Sequence, residues 1–230
     1  MTNNFPDAVL DIPDISVGVD TPGMPPKAEP TDFSAGPMKI LQWPHPALST
    51  PCELVTPEEV LTQDFVDRVR RLAFTLAKRG GYGLAANQVG WGKRVLVCVH
   101  PAQLAELGAR QDGAQGTWQL DLVALINPVI VATRGGQMSR PEACLSFTGA
   151  GAVSVPSFED VDVECPDIGR EDIMPVHCGT LRYIGLAARV VSHEVGHLDG
   201  KTMLDRLGVT ERHLFMKQLR KAQKARARAS

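Results

Sequence analysis

The sequence predicts an α+β domain: antiparallel and mixed β-sheets packed around a central helix that carries a metal-binding motif, with a further helix at the C-terminus. Three observations predict it. An amphipathic helical stretch comes first, a series of short β-rich runs follows, and two helical stretches close the chain without the strand–helix alternation of a parallel α/β fold. The 230 residues, 43% hydrophobic and 22% charged, suit one medium domain of ordinary globular composition. No window approaches the run of about 18 apolar residues that a transmembrane helix needs. A formal net charge of −2 argues against a protein built mainly to hold nucleic acid.

Residues 1–37 hold seven prolines and six acids against the single base Lys27, a composition that predicts a disordered extension. The segment has neither the basic start and apolar core of a secretory signal nor the arginines of a transit peptide. Cys52, Cys98, Cys144, Cys165 and Cys178 are odd in number and never spaced C-x-x-C, so a disulfide framework is not expected and the reduced cytoplasm is. Thr56-Pro57-Glu58-Glu59 reads as a helix start, with an N-cap threonine, proline at the first helical position and a glutamate completing a capping box. Leu61, Phe65, Val69, Leu72 and Leu76 continue it at helical spacing until Gly80-Gly81. Residues 94–100 form a β-rich run, and 122–132 a strand pair or one strand broken at Asn127-Pro128. Further strands are expected at 160–164, around 173–176 and at 181–184. Residues 184–198 read as a buried helix ended by Gly200, and a last helix runs from Thr210 with Leu214, Phe215 and Leu219 as its apolar positions.

His193-Glu194-Val195-Gly196-His197 lies on the buried helix and has the form H-E-x-x-H. Residues four apart stand one turn apart on the same face, so both imidazoles can reach one metal ion, while Glu194 falls beside the metal as a base for metal-bound water. The apolar flanks Val190, Val191, Val195 and Leu198 predict burial. A catalytic metal usually has a third protein ligand. Glu211 and His213 belong to another helix, and Cys98 sits in a strand as a small hydrophobe. Composition leaves Cys144 only modestly ahead of Cys165 and Cys178.

Three segments together resemble the peptide deformylase family. Its G-x-G-L-A-A-x-Q motif is matched by Gly81 to Gln88, its E-G-C-L-S by Glu142-Ala143-Cys144-Leu145-Ser146, and its Q-H-E-x-D-H-L-x-G by Ser192 to Gly200. Ile40-Leu41-Gln42-Trp43-Pro44 also opens like the family, and the similarity extends from about Met38 to Leu207, within an expected catalytic unit at 38–209. The resemblance implies removal of the formyl group from N-formylmethionine at the start of nascent polypeptides. It implies Cys144, His193 and His197 as ligands of one divalent ion, ferrous iron in the cell with zinc, nickel or cobalt able to substitute. It implies Glu194 as general base and acid, Gln88 and the backbone N–H of Leu145 as oxyanion donors, and Gly83 in a backbone that pairs with the peptide. A cytoplasmic monomer is expected.

The chain departs from the family at four places. Ala143 replaces a glycine, which would strain the backbone if that position needed a positive φ. Ser192 replaces a glutamine, Gly196 an aspartate, and Ser157 an arginine in a V-P-R segment. These changes leave open a related N-acyl amidase with a shifted substrate, or a weakly active or non-catalytic paralogue that binds nascent chains. Residues 212–230 carry seven bases and no acid. As the basic tail at 210–230 they are either a solvated face or a contact to ribosomal RNA. On the second reading, removing 217–230 is expected to leave hydrolysis of a free tripeptide nearly intact and to weaken ribosome co-sedimentation at low salt.

Overall fold

The computed structural model describes residues 32–109, 121–168 and 173–229, so most of the acidic, proline-rich segment falls outside the described residues. The fold is α+β. Helix α1 (Pro57–Val60) starts with Thr56 and Glu59 forming both halves of the capping box. It does not continue into the amphipathic stretch. Thr62 caps a second helix, α2 (Gln63–Arg79), by accepting from the Phe65 amide. Leu61 lies between the two and is 57% exposed, so it is a junction residue and not part of the apolar stripe. The threonine hydroxyl competes for the backbone and breaks a periodicity that apolar spacing alone makes continuous.

Strands β1 (Gly83–Ala85), β2 (Val95–Val99), β3 (Leu122–Ile126) and β8 (Val176–His177) form one sheet, antiparallel except for the β3–β8 pair. Strands β4 (Val129–Thr133), β7 (Asp160–Cys165) and β9 (Gly179–Ile184) form a second, antiparallel sheet. The run over 122–132 is therefore two strands that belong to different sheets. Asn127, at φ 52°, makes the corner between them and holds Val55 through both side-chain atoms. Strands β5 (Met138–Glu142) and β6 (Val153–Ser157) pair as a hairpin, although each contains a proline that masks it in the sequence. A short helix, α3 (Pro101–Ala109), also carries no clear signal in the sequence.

The core explains why β2 is buried at every residue. Val95 and Val97 face α2, in a cluster with Phe65, Val69, Leu72 and Leu76. Leu96 and Cys98 face the opposite way, against Val161, Val163 and Tyr183 of the second sheet and Val191, Val195 and Leu198 of helix α4 (Leu186–Leu198). Helix α4 thus lies in the core between the sheets. It ends before Gly200 (φ 71°), where a side chain would lie 2.8 Å from the Pro51 nitrogen.

Helix α5 (Val209–Ala229) packs Phe215 and Leu219 against Phe147, Val155, Met203 and Leu204. Leu214, expected on the same stripe, is 55% exposed. Trp43 stacks on Phe147 at 5.7 Å, Phe147 meets Phe215 at 5.8 Å, and Gln223 donates to the Trp43 carbonyl. This packing means that the apolar side of α5 is part of the folded body. Removing 217–230 would take Leu219 from the cluster around Phe147 and Gln223 from the Trp43 carbonyl, so a cost in stability is expected. Leu219→Ala is expected to lower stability by about 2–5 kcal/mol in urea unfolding, as for a buried leucine that leaves a cavity. A loss within error of zero would show α5 to be a detachable tail.

Candidate metal centre

Helix α4 presents His193, Glu194 and His197 to the interior, at 9%, 5% and 1% exposure. Cys144 reaches them from the end of β5, where the chain enters a 3-10 turn, Leu145–Phe147. Its sulfur lies 3.2 Å from His197 Nε2. One ligand atom from each of Cys144, His193 and His197 falls within 4.8 Å of the others, and among the described residues they are the one such group. A thiolate and two imidazoles suit zinc or ferrous iron, and two buried histidines with a half-buried cysteine fit a divalent ion. The other cysteines lie elsewhere. Cys98 and Cys165 are buried in the core, with burial pushing Cys165 up to about 12, and Cys178 is exposed.

Supporting groups fix these side chains. His193 Nδ1 lies 2.9 Å from Glu142 Oε2. A carboxylate only accepts, so Nδ1 is the donor; burial alone would lower the ring, but its hydrogen bonds with Cys144 and Glu142 raise it well above the usual histidine range, and an ion at Nε2 would take the place of a proton there. Burial alone would raise Glu142, but hydrogen bonds from His193 and Arg206 outweigh it and hold the carboxyl at about 2. Asn87 donates to the His197 carbonyl at 2.6 Å, tying the turn after β1 to α4. Burial holds the His197 ring well below the usual histidine range, which keeps it neutral as a ligand must be. Its Nδ1 is buried without a hydrogen-bond partner.

Glu194 is separate from the trio. One oxygen is buried without a partner. Burial pushes its carboxyl up to about 7, against the lowering effects of His193 and the Ala85 amide. A Cβ added at Gly83 would stand 2.7 Å from Glu194 Cγ and from Oε1, so only glycine lets β1 pass this close. Gln88 accepts from the Ala85 amide at 2.8 Å. Its Nε2 reaches Ser146 Oγ at 3.2 Å and the Cys144 sulfur at 3.5 Å. Leu145 follows Cys144, its carbonyl held by Gln42 Nε2 at 2.9 Å. Every residue singled out in the sequence for the site thus lies on a segment that meets the others at α4.

The polypeptide deformylase family model matches residues 37–213. The chain belongs to that family. It is 31% identical over 188 residues to the peptide deformylase of Stenotrophomonas maltophilia K279a, covering 81% of this chain and 96% of that one. It is 30% identical over 187 residues to that of Helicobacter pylori G27, covering 81% and 95%. Among solved deformylases, that of Ehrlichia chaffeensis superposes with a TM-score of 0.65 at 26% identity, over 84% of this chain and 99% of that one. That of Legionella pneumophila gives 0.62 at 27%, with the same coverage.

The departures from the family resolve unevenly. Ala143 does not need a positive φ, since among the described residues Asn127 is the one non-glycine that has it, so the expected strain is absent. A Cβ at Gly196 would meet nothing within 4 Å, and the Ser192 hydroxyl is buried without a partner. Ser157 hydrogen-bonds Glu142 Oε1 at 2.5 Å, where Arg206 also arrives. Glu142, Asn87 and Arg206 are the residues that sequence reasoning leaves without a role. Glu142 could have been suspected, since it opens the E-A-C-L-S segment two residues before the cysteine, whereas Arg206 stands 64 residues away with no motif around it.

A Gly83→Ala variant is expected to fold and to keep the ligand trio while displacing the Glu194 carboxylate. Deformylase activity should fall about 100-fold or more, as misplacements near 1 Å do. Activity within twofold of the parent would show that the close approach of β1 is not required.

Proposed function

We propose that the protein removes the formyl group from N-formylmethionyl peptides, releasing formate, as a metal-dependent hydrolase. The observation that carries this reading is the convergence of a half-buried Cys144 with the buried His193 and His197, beside a buried glutamate oxygen without a hydrogen-bond partner on the helix of the two histidines. Cys144, His193 and His197 would hold one divalent ion, ferrous iron in the cell and replaceable by zinc, nickel or cobalt. When bound, the ion supplies Lewis acidity, making water a nucleophile at neutral pH and polarising the formyl carbonyl.

The chain's own groups do the rest. Glu194 takes a proton from the attacking water and hands it to the amide nitrogen as the C–N bond breaks, leaving formate and a free amine. The Gln88 side-chain amide and the Leu145 backbone N–H face the formyl oxygen as it becomes negative. Gln88 is pre-oriented by the Ala85 amide, so it need not reorganise during reaction. Gly83, in a strand with no side chain to intrude, lets the peptide backbone approach and pair with β1. The protein works as a monomer in the cytoplasm. Among the described residues, no helix is long and apolar enough to cross a membrane.

Nascent chains are met at the ribosome, and α5 supports this partner. Arg212, Lys217, Arg220, Lys221, Lys224 and Arg228 lie on it, most of them exposed, while Phe215 and Leu219 hold the helix down. A basic face anchored by its apolar side suits contact with ribosomal RNA phosphates.

The test of the chemistry is formate release from formyl-Met-Ala-Ser by protein loaded anaerobically with iron, nickel or zinc. Glu194→Gln should retain one metal per chain and lose about 100-fold or more in rate, whereas Cys144→Ser should lose metal. Metal loss in Glu194→Gln equal to that in His193→Ala would show that the glutamate is a ligand. For the partner, Lys217→Gln, Lys221→Gln and Lys224→Gln together should weaken ribosome co-sedimentation at low salt. Its salt slope should fall by about 0.7–0.9 for each phosphate no longer neutralised. Tripeptide hydrolysis should be unchanged. Equal sedimentation of parent and triple variant would reduce the basic face to a solvated surface.

A further inference from the structure

Arg206 belongs to none of the motifs, yet its guanidinium ends on the carboxylate that orients a proposed metal ligand. Nη1 donates to Glu142 Oε1 at 3.0 Å, to Ser157 Oγ at 3.0 Å and to the Pro156 carbonyl at 3.5 Å, while Nη2 bonds Glu142 Oε2. Glu142 Oε2 in turn faces His193 Nδ1. The carboxylate side chain is 7% exposed and that of His193 8%, so each depends on the partners it has.

The segment that delivers Arg206 is held by its own cap and by core packing. Thr202 and Asp205 form a capping box around the 3-10 turn Met203–Arg206, with the Asp205 carboxylate accepting from the Thr202 amide at 2.7 Å. Met203 and Leu204 are 1% exposed and packed with Phe147 and Phe215. The backbone that carries Arg206 is therefore fixed by the same cluster that seats the turn after Cys144.

At position 157 a small residue stands beside the same carboxylate. Ser157 is 3% exposed on β6, and its short side chain leaves the space beside Glu142 for the Arg206 fork. An arginine on β6 would occupy the same place. Two guanidinium groups cannot share one buried carboxylate without like-charge repulsion.

We propose that Arg206 is the positioning residue of the metal centre: from the turn after α4 it clamps Glu142 against His193, in the place that a small residue at position 157 leaves free. The proposal rests on the assignment of Cys144, His193 and His197 as metal ligands. Without the clamp, Glu142 can rotate away, and the His193 ring is then free of the partner that sets its tautomer and angle.

The experiment is a double-mutant cycle on the full chain, comparing the parent with Arg206→Ala, Ser157→Arg and Arg206→Ala/Ser157→Arg, with Arg206→Lys alongside. Cobalt(II) is the probe. Its visible and thiolate charge-transfer absorption reports the ligand geometry, and chelator competition reports affinity. Arg206→Ala is expected to weaken cobalt affinity about 10–100-fold and shift the visible bands, and Ser157→Arg alone to weaken it as well. The double variant is expected to return to within a few-fold of the parent, with the parent's spectrum. Arg206→Lys keeps the charge but not the fork and should fall between. If Arg206→Ala proves too unstable to load, the lysine variant decides: parental affinity and spectrum in it would overturn the assignment. Additive losses in the double variant, or parental cobalt binding in Arg206→Ala, would also overturn it. A parent chain that binds no cobalt would instead refute the ligand assignment itself.

Discussion

A helix carrying two histidines and a glutamate lies between two sheets, and burying those three side chains is the constraint around which the rest of the molecule is arranged. Polar groups taken out of water destabilise the fold by kilocalories each unless they find partners. The chain supplies those partners from distant segments: Glu142 for the His193 ring, Asn87 for the carbonyl at His197, and the Cys144 sulfur for the His197 ring. Each requires a strand or turn to end at a particular point against α4. The hairpin β5–β6, the turn after β1 and the turn after Cys144 are placed by that requirement as much as by their apolar residues. What still lacks a hydrogen-bond partner, Glu194 Oε2 and His197 Nδ1, lies at the same centre.

The same centre is tied to the C-terminus by apolar contact. Phe147, three residues after Cys144, stacks on Trp43 and meets Phe215 of α5, and the turn bearing Arg206 shares that cluster. Helix α5 therefore has two faces with different duties. Phe215 and Leu219 stabilise the cysteine turn, and the basic residues opposite them remain in solvent.

Much of this is legible in the sequence where a strong local signal and a tertiary demand coincide. Thr56 and Glu59 announce a capping box, and the structure contains it. The apolar flanks of His193 and His197 announce burial, and both are buried. The failures are as physical. Leu61 keeps the helical spacing, but Thr62 restarts the helix, and spacing carries no information about which hydroxyl caps. Pro141 and Pro156 hide β5 and β6, because a two-stranded hairpin tolerates prolines that a central strand would not. Leu214 has the right residue type one position from the stripe that Phe215 defines. Arg206 is invisible because its partner lies 64 residues away and a lone arginine has no period. The strain expected at Ala143 comes from a glycine elsewhere in the family, and the backbone there does not need one.

The departures from the family therefore fall outside the residues that would hold metal and move protons. Three of them are absorbed locally: Ser157 by Arg206, Ala143 by ordinary backbone geometry, and Gly196 by open space. One sulfur and two imidazoles are proposed to converge on a single ion. X-ray absorption at the metal edge of the purified full-length protein, reconstituted with zinc or iron, reads that ligand set. One metal per chain, with one sulfur at about 2.3 Å and two histidine nitrogens at about 2.0–2.1 Å for zinc, is the expected result. A bound metal with no sulfur in its coordination sphere would contradict it.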